Sequence, residues 1–263
     1  MLKNRLIFTL LMKNGSYQLS RNFNLQDVGD LAWIKKYYNF NAIAFSIDEL
    51  IVLDVERGGK NIKLFCENLL ELNKNCFMPI AAGGGIKSID DAYFILNSGA
   101  DKLVINSALK KNNQLVTSLV ETFGSQCVIA SIDYKKYEDQ STEVFIENGN
   151  KPTGKTVEEF IKISHDLGCG EIYLTSMEQD GTGYGFDIDT LKSAEKISSV
   201  PIIASGGAGK YQHFADGILI GNASAVSTAN LFNFIANGLI KVREKMIENS
   251  IEMAKWEFGF HDI

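Results

Sequence analysis

The sequence predicts an α/β protein built as one (β/α)8 TIM barrel, and three observations support this fold class. Short apolar segments alternate with longer amphipathic ones, as in parallel strands that are joined by helices. The chain repeats itself halfway along, because residues 49–54 and 79–85 correspond to residues 171–176 and 201–207, each 122 positions later. Eight strand–helix units with such a repeat fit a barrel of two similar halves better than an open sheet.

Short apolar runs define the eight predicted strands, which cover residues of about 5–11, 49–54, 78–82, 102–106, 127–133, 171–176, 201–205 and 216–221. Helical spacing at residues 90–97 and 156–165 predicts two connecting helices, with Ser88 and Thr156 as their N-caps. The helix after the seventh strand is predicted to be truncated to about one turn at residues 211–214.

The predicted domain organisation is a barrel over residues 1–240, with halves of about 1–122 and 123–240. Residues 241–263 form a predicted C-terminal helical extension, whose apolar residues, including Trp256 and Phe258, cover the gap at the short helix or meet a partner. The charged start and short apolar run at residues 3–12 lack a cleavage site, so we expect a first strand there and not a signal peptide.

Composition excludes several classes of function. The chain has 263 residues, of which 45% are hydrophobic, and a formal net charge of -6. This length allows a large buried core, and the negative charge argues against nucleic acid and anionic membranes as partners. Four cysteines without Cys-x-x-Cys spacing predict buried, reduced thiols and a cytoplasmic protein. The three histidines lie away from the predicted strand ends, so we expect no metal and no cofactor.

The loops after the strands are the expected functional region, because barrel chemistry sits at the C-terminal strand ends. Glycines at 83–85 and 206–207 follow the third and seventh strands and allow a ligand to approach the backbone closely. Two such turns half a barrel apart predict a ligand with a phosphate at each end, although tight turning alone is a simpler alternative. The glycine-rich loop 178–185 is a candidate contact for substrate hydroxyls or a lid, or else an ordinary surface loop.

Several motifs carry a resemblance to a known family. The segments AGGGI at 82–86, GADK at 99–102, FGSQ at 123–126, LTSM at 174–177 and IASGGAG at 203–209 resemble the cyclase subunit of imidazole glycerol phosphate synthase. In that family a glutaminase docks on the N-terminal face of the barrel, and its ammonia crosses the barrel to a substrate with two phosphates. The resemblance implies contacts with this phosphorylated ligand at Gly85, Asn106, Ser107, Asp180, Gly181, Gly207, Gly221 and Asn222.

The family's chemistry requires two opposed aspartates, at the ends of the first and fifth strands, as general acid and base. Asp133 keeps the second position. Leu11 stands 122 residues earlier, at the first position, and its isobutyl group carries no proton. Because loss of one member of an acid–base pair commonly costs about 10²- to 10⁴-fold in rate, ordinary cyclisation is not expected at a useful rate.

The resemblance also implies an ammonia entrance at the starts of the strands. The two basic and two acidic residues of the family's entrance recur here as Arg5, Lys102, Glu49 and Glu171. A fifth residue, Asp101, matches the position that meets the glutaminase. The simpler alternative is a structural salt-bridge ring that only closes the barrel. Retention of this entrance without the first aspartate suggests a barrel that still receives ammonia but no longer makes imidazole.

Two functional hypotheses follow from this combination. The leading one is an ammonia conduit in a synthase complex with a glutaminase and a sugar amidotransferase, similar to the family branch encoded with surface-polysaccharide genes. The alternative is the cyclase subunit, a lyase of histidine biosynthesis, in which another group replaces the lost acid. A phosphosugar isomerase-type barrel is a weaker reading, because that chemistry also requires two opposed acids.

Overall fold

The protein is described by a computed structural model that covers residues 3–37, 46–74, 76–230 and 238–254. Twelve strands occur in these ranges: β1 Arg5–Lys13, β2 Ser16–Arg21, β3 Asn24–Asp30, β4 Glu49–Asp54, β5 Ile80–Gly83, β6 Lys102–Ile105, β7 Val128–Lys136, β8 Thr142–Ile146, β9 Lys151–Pro152, β10 Glu171–Ser176, β11 Ile202–Ser205 and β12 Ala225–Thr228. Eight of them pair in parallel in the order β1, β4, β5, β6, β7, β10, β11, β12, and β12 pairs with β1 to close the barrel. The predicted (β/α)8 barrel is confirmed.

Helices follow the barrel strands in the described residues, and their bounds are Leu31–Tyr37, Ile62–Asn73, Ile89–Asn97, Ala108–Lys111, Asn113–Phe123, Val157–Asp166, Ile188–Ile197, Tyr211–Leu219 and Gly238–Glu248. Both predicted N-caps are confirmed. Ser88 Oγ accepts a hydrogen bond from the Asp91 amide at 3.1 Å, and the Asp91 carboxylate accepts one from the Ser88 amide at 3.0 Å. Thr156 and Glu159 form the same reciprocal capping box.

Seven of the eight predicted barrel strands are confirmed, and the eighth, at residues 216–221, is wrong. These residues lie mostly in the helix Tyr211–Leu219, and the last strand begins at Ala225. A short apolar run fits a strand or a buried helix equally well, and here the helical period decides. Phe214 and Ile218, four residues apart, are buried, whereas Leu219 and Ile220 are exposed. The predicted one-turn helix at 211–214 is therefore also wrong.

Two antiparallel hairpins extend from the C-terminal ends of barrel strands and were not predicted. The first, β2 and β3, continues directly from β1, and the second, β8 and β9, continues from β7. Both hairpins are placed at the end of the barrel where the candidate functional side chains lie. Neither interrupts the parallel barrel, because Leu11 and Met12 pair with β2 on one side and still pair with β4 on the other. Asp133 and Tyr134 pair with β8 and β10 in the same way.

The C-terminal helix Gly238–Glu248 is anchored to the opposite end of the barrel. The Arg243 guanidinium donates two hydrogen bonds of 2.9 Å to the Asp48 carboxylate, and both side chains are buried. Asp48 also accepts from the Leu6 amide at 2.8 Å, and a bridge joins Asn4 to Met253. The predicted extension is therefore helical as far as Glu248, whereas Trp256 and Phe258 lie outside the described residues.

Apolar side chains fill two separate regions. The larger core lies between the strands and the surrounding helices. The smaller one lies inside the barrel, because alternate residues of a strand face opposite sides, and it consists of Ile7, Ile51, Ala81, Val104, Ile129, Tyr173, Ile203 and Ala225. All four cysteines are buried and free, as predicted. None of the described helices has the length and apolar character needed to cross a membrane.

Candidate active site

A cavity of about 520 Å³ opens at the C-terminal ends of the barrel strands. Its volume falls in the range that accommodates small metabolites. Leu11 and Asp133 line it from the ends of β1 and β7, Asp54 lines it from the end of β4, and Asn106 and Ser107 line it just after β6. Among the described residues, no cluster of three or more His, Cys, Asp or Glu side chains could hold a metal ion.

Asp133 is the buried carboxylate of this cavity. Its Oδ2 accepts a hydrogen bond of 3.2 Å from Asn106 Nδ2. Burial, and then the charge of Asp180, raise the pKa of Asp133 to about 7, against an opposing hydrogen bond from Ser131. A carboxyl group with a pKa near neutrality can both accept and donate a proton at physiological pH. The structure therefore gives Asp133 the properties of a general acid or base.

Residue 11, which corresponds to Asp133 in the first half of the repeat, is apolar. Leu11 pairs with Leu53 of β4 and faces the cavity with its isobutyl group. The neighbouring polar residue, Asn14, donates a hydrogen bond of 2.6 Å to Glu56. Neither residue at the end of β1 can exchange a proton with a ligand.

Several titratable residues of the cavity were not predicted from the sequence, and Asp54 and Lys60 are two of them. Asp54 ends the strand next to β1, and burial raises its pKa against the opposing charge of Lys60. The Lys60 ammonium donates a hydrogen bond to the backbone carbonyl of Asp54, and burial lowers the pKa of Lys60. Asp54 had a sequence signal, since it ends a predicted strand as Asp133 does. Lys60 had none, because it lies in a loop.

The first group of predicted phosphate contacts is brought together. Gly85, Asn106 and Ser107 all line the cavity. Gly85 has a φ of +82°, and a Cβ there would lie 2.4 Å from Lys60 Cδ, so this backbone lies directly against the lysine chain. Lys60, Lys87 and Lys111 line the same cavity and supply positive charge that complements an anionic ligand.

The other predicted ligand contacts do not all line the cavity, as Gly181 and Gly207 show. Asp180 lines the cavity, but its Oδ2 accepts hydrogen bonds from Ser20 Oγ at 2.5 Å and the Phe23 amide at 3.0 Å. It thus holds the tip of the β2–β3 hairpin. Gly181 and Gly207 are absent from the cavity lining, and a Cβ on Gly207 would lie 2.0 Å from the Gly185 carbonyl oxygen. Close packing against loop 178–185 is by itself sufficient to require a glycine at 207.

The predicted placement of Gly221 and Asn222 at the C-terminal end of the last strand is wrong. Both residues precede β12, so they lie towards the end of the barrel away from the cavity, and neither is part of its lining. The error follows from the misplaced eighth strand. The residue after the true strand that lines the cavity is Ala229, and residues 231–237 lie outside the described ranges.

A ring of alternating charges occupies the N-terminal end of the barrel. Arg5 binds Glu49 at 2.8 Å and also binds Glu171, and Lys102 lies 3.0 Å from Glu171 and 3.4 Å from Glu49. Burial acts to lower the pKa of Arg5, but the two glutamates outweigh it and raise the pKa. The exposed Asp101 next to the ring accepts a hydrogen bond of 2.9 Å from the Ile80 amide. The four predicted entrance residues are therefore in contact.

Four hydroxyl groups lie inside the barrel between the charged ring and the cavity. Tyr173 OH is 3.0 Å from Thr9 Oγ1 and 2.8 Å from Ser205 Oγ, and Thr9 Oγ1 is 2.8 Å from Ser227 Oγ. All four side chains are buried. Thr175 Oγ1, two residues further along β10, is buried with no hydrogen-bond partner and lines the cavity.

Comparisons with known proteins agree with this architecture. The family described as "Histidine biosynthesis protein" matches residues 11–234. A protein of Parasynechococcus marenigrum, provisionally named imidazole glycerol phosphate synthase subunit hisF2, is 40% identical over 257 residues, covering 97% of this chain and 95% of the relative. "Imidazole glycerol phosphate synthase subunit HisF" of Streptococcus mutans serotype c is 37% identical, covering 96% of this chain and 100% of its own length.

A third relative gives the same result. "Imidazole glycerol phosphate synthase subunit HisF" of Hyphomonas neptunium is 39% identical over 244 residues, covering 92% of this chain and 95% of the relative. The closed barrel, the extent of the family match and these full-length similarities agree. The chain belongs to the histidine biosynthesis protein family, and within it to the HisF subunits of imidazole glycerol phosphate synthase.

Proposed function

We propose that this chain is the cyclase-type subunit of an imidazole glycerol phosphate synthase, which receives ammonia at the charged ring and uses it in the cavity. The observation that carries the proposal is the arrangement along shared strands. β1 begins at Arg5 in the ring and reaches Leu11 at the cavity, and β10 runs from Glu171 in the ring to Thr175 at the cavity. The names of the relatives support the same activity.

The proposed partner is a glutaminase subunit that docks on the N-terminal face. The charged residues of the ring form ion pairs with one another. They therefore do not depend on water for solvation, and a partner can cover this face. Asp101 is exposed beside it and is the proposed docking contact. The proposed ligand is a small molecule with two phosphates, held by Gly85, Asn106 and Ser107 at one end. Gly181 and Gly207 remain proposed contacts at the other end, through their backbone.

Asp133 is the proposed first acid–base group, and Asp54 is the proposed second one. Residue 11 cannot take this role, whereas Asp54 ends the neighbouring strand and is part of the lining of the same cavity. The raised pKa of Asp54 keeps part of its population protonated nearer to neutrality than an exposed aspartate. A pair of carboxyl groups with different environments provides the acid and the base that cyclisation requires.

The second candidate function is an ammonia conduit without cyclisation, and Leu11 in the cavity wall is the observation that favours it. In this function the barrel passes ammonia to another acceptor, such as a sugar of a surface polysaccharide with a sugar amidotransferase as partner. The three relatives favour the cyclase, because all three are named as synthase subunits and none is named for polysaccharide synthesis.

An ammonia-dependent cyclase assay with the synthase's doubly phosphorylated substrate distinguishes the two functions. If Asp133 and Asp54 exchange protons with the substrate, Asp133→Asn and Asp54→Asn each lower the rate by about 10²- to 10⁴-fold. The matched control is Glu56→Gln, which changes a partly exposed carboxylate at the same cavity and should leave the rate almost unchanged.

Leu11→Asp provides the complementary test. We expect this variant to raise the rate only while Asp133 is present, at a cost of about 1–2 kcal/mol in stability for a carboxylate that reaches polar loops. A wild-type chain without turnover, together with turnover in Leu11→Asp, would contradict the cyclase proposal and support the conduit. Equal rates for Asp54→Asn and Glu56→Gln would exclude Asp54 as the second group.

A further inference from the structure

Tyr173 spans most of the barrel interior. It lies on β10, between Glu171 of the charged ring and Thr175 of the cavity, and its side chain is buried. Its hydroxyl contacts Thr9 on β1 at 3.0 Å. Strand β1 is three strands away from β10 around the closed barrel, and four is the largest separation that eight strands allow. The phenol ring therefore extends across the interior and not along its wall.

The hydroxyl network holds this ring in one orientation. Ser227, Thr9, Tyr173 and Ser205 form a chain of three hydrogen bonds from β12 through β1 and β10 to β11. Each bond is buried, so releasing the Tyr173 hydroxyl without a new partner leaves polar groups unsatisfied in an apolar region. The side chain is thus fixed at its far end, as well as at its backbone.

Tyr173 also forms the floor of the cavity. The cavity lining includes Tyr173, Thr175 and Ser205. Beneath them, the apolar residues of the interior cluster are almost fully buried, including Ile7, Ile51 and Ile203. In the described residues an apolar cluster consequently lies between the charged ring and the cavity, and Tyr173 is the only buried member of that cluster with a polar group.

We propose that Tyr173 is a gate between the charged ring and the cavity, closed by its bonds to Thr9 and Ser205 and opened when the phenol turns away from them. The inference rests on the proposed function, in which ammonia crosses the barrel. Ammonia both donates and accepts hydrogen bonds, so it can replace the Tyr173 hydroxyl at these partners as the ring moves. Thr175, whose hydroxyl has no partner, is the next polar group on the cavity side.

The first test measures where the product nitrogen comes from, in the complex of the full chain with its glutaminase subunit. Glutamine labelled with 15N in the amide competes with unlabelled ammonium, and the ratio of labelled to unlabelled product is measured. In Tyr173→Trp a larger ring blocks the passage, and we expect this ratio to fall by about tenfold, as for a rise of about 1.4 kcal/mol in the barrier to transfer. In Tyr173→Phe the ring is released and the ratio should rise.

The matched control is Tyr134→Phe. Tyr134 is also a buried barrel tyrosine with a hydroxyl bond, to Asp187 at 3.2 Å, but it belongs to the outer core. Its replacement should leave the ratio at the wild-type value. An unchanged ratio in Tyr173→Trp would overturn the gate.

The second test measures access without any turnover. Ala225 is fully buried on β12, two residues before Ser227 and towards the charged ring. In Ala225→Cys, labelling of the new thiol by methyl methanethiosulfonate is followed by mass spectrometry, with the parent chain as the control for the four native cysteines. Adding Tyr173→Ala should raise the labelling rate by about tenfold or more, as the closed floor is removed.

The two tests separate the failure of the gate from the failure of the proposed function. Equal labelling of Ala225→Cys with and without Tyr173 would overturn the gate alone. Wild-type product that contains no glutamine-derived nitrogen would overturn the passage of ammonia, and with it the gate's role. Faster labelling in Tyr173→Ala, with a lower nitrogen ratio in Tyr173→Trp, supports both.

Discussion

Asp133→Asn is expected to stabilise the protein at alkaline pH while it removes the proposed acid–base group. Burial raises the pKa of Asp133 to about 7, whereas an aspartate in an unfolded chain has a pKa of about 3.9. The folded state therefore binds the proton more tightly than the unfolded state does. Stability is full below about pH 4 and falls as the pH rises towards 7, because folding then disfavours the ionised carboxylate.

The size of the effect follows from the same two values. At pH 8 the ionised Asp133 costs about 4 kcal/mol relative to a group with an unchanged pKa, and at pH 5 it costs about 1–2 kcal/mol. Asparagine has nearly the same shape, carries no charge and keeps a carbonyl oxygen that accepts from Asn106. The gain in unfolding free energy from Asp133→Asn should therefore grow by about 2–3 kcal/mol between pH 5 and pH 8.

Urea unfolding of the wild type and the variant at several pH values from 5 to 8 measures this difference. The matched control is Asp139→Asn, because Asp139 is exposed and its pKa is lowered by Ser141, so no gain with rising pH is expected. A difference between wild type and Asp133→Asn that stays constant across this range would refute the argument from burial. It would mean that the cavity solvates the Asp133 carboxylate as well as water does.

Two further predictions concern the N-terminal end of the barrel. Asp101→Arg and Lys102→Glu should each weaken binding of the glutaminase subunit in a pull-down, because they reverse charges on the proposed docking face. Unchanged binding and undiminished glutamine-dependent product formation in both variants would contradict this docking site. Arg243→Ala should lower the free energy of unfolding by about 3–5 kcal/mol, since it leaves the buried Asp48 carboxylate without its ion-pair partner. Urea unfolding measures this loss, with the exposed Lys245→Ala as the control. Equal stabilities of the two variants would show that the Asp48 charge is solvated.

The barrel was predictable because its signals are local and repeated. The seven confirmed strands each combine an apolar run with a flanking turn, and Ser88 and Thr156 have capping-box partners three residues later. The last strand was missed because Phe214 and Ile218 give a helical period within an apolar run that is also short enough for a strand. The helix–strand choice there depends on packing, which a single segment does not encode.

The candidate site was predictable where it lies at strand ends and not elsewhere. Leu11 and Asp133 follow from the strand ends and the repeat. Asn106 and the charged ring were expected from the family resemblance, and they lie at the strand ends and strand starts where it puts them. The interactions of Asp180 with the β2–β3 hairpin depend on residues about 160 positions apart, and no periodicity announces them. The same holds for Tyr173. In the sequence it is one aromatic residue of a predicted strand, and only the structure shows its hydroxyl in a network with hydroxyls of three other strands.

The contact between Arg243 and Asp48 links residues 195 positions apart and joins the last described helix to the base of the barrel. The pairing of β12 with β1 likewise joins the last strand of the barrel to the first. During synthesis on the ribosome, the first strand therefore stays without one of its neighbours until β12 has emerged. The surface proposed for the glutaminase includes Arg5 on β1, so the barrel end that carries this surface closes only after β12 has been synthesised.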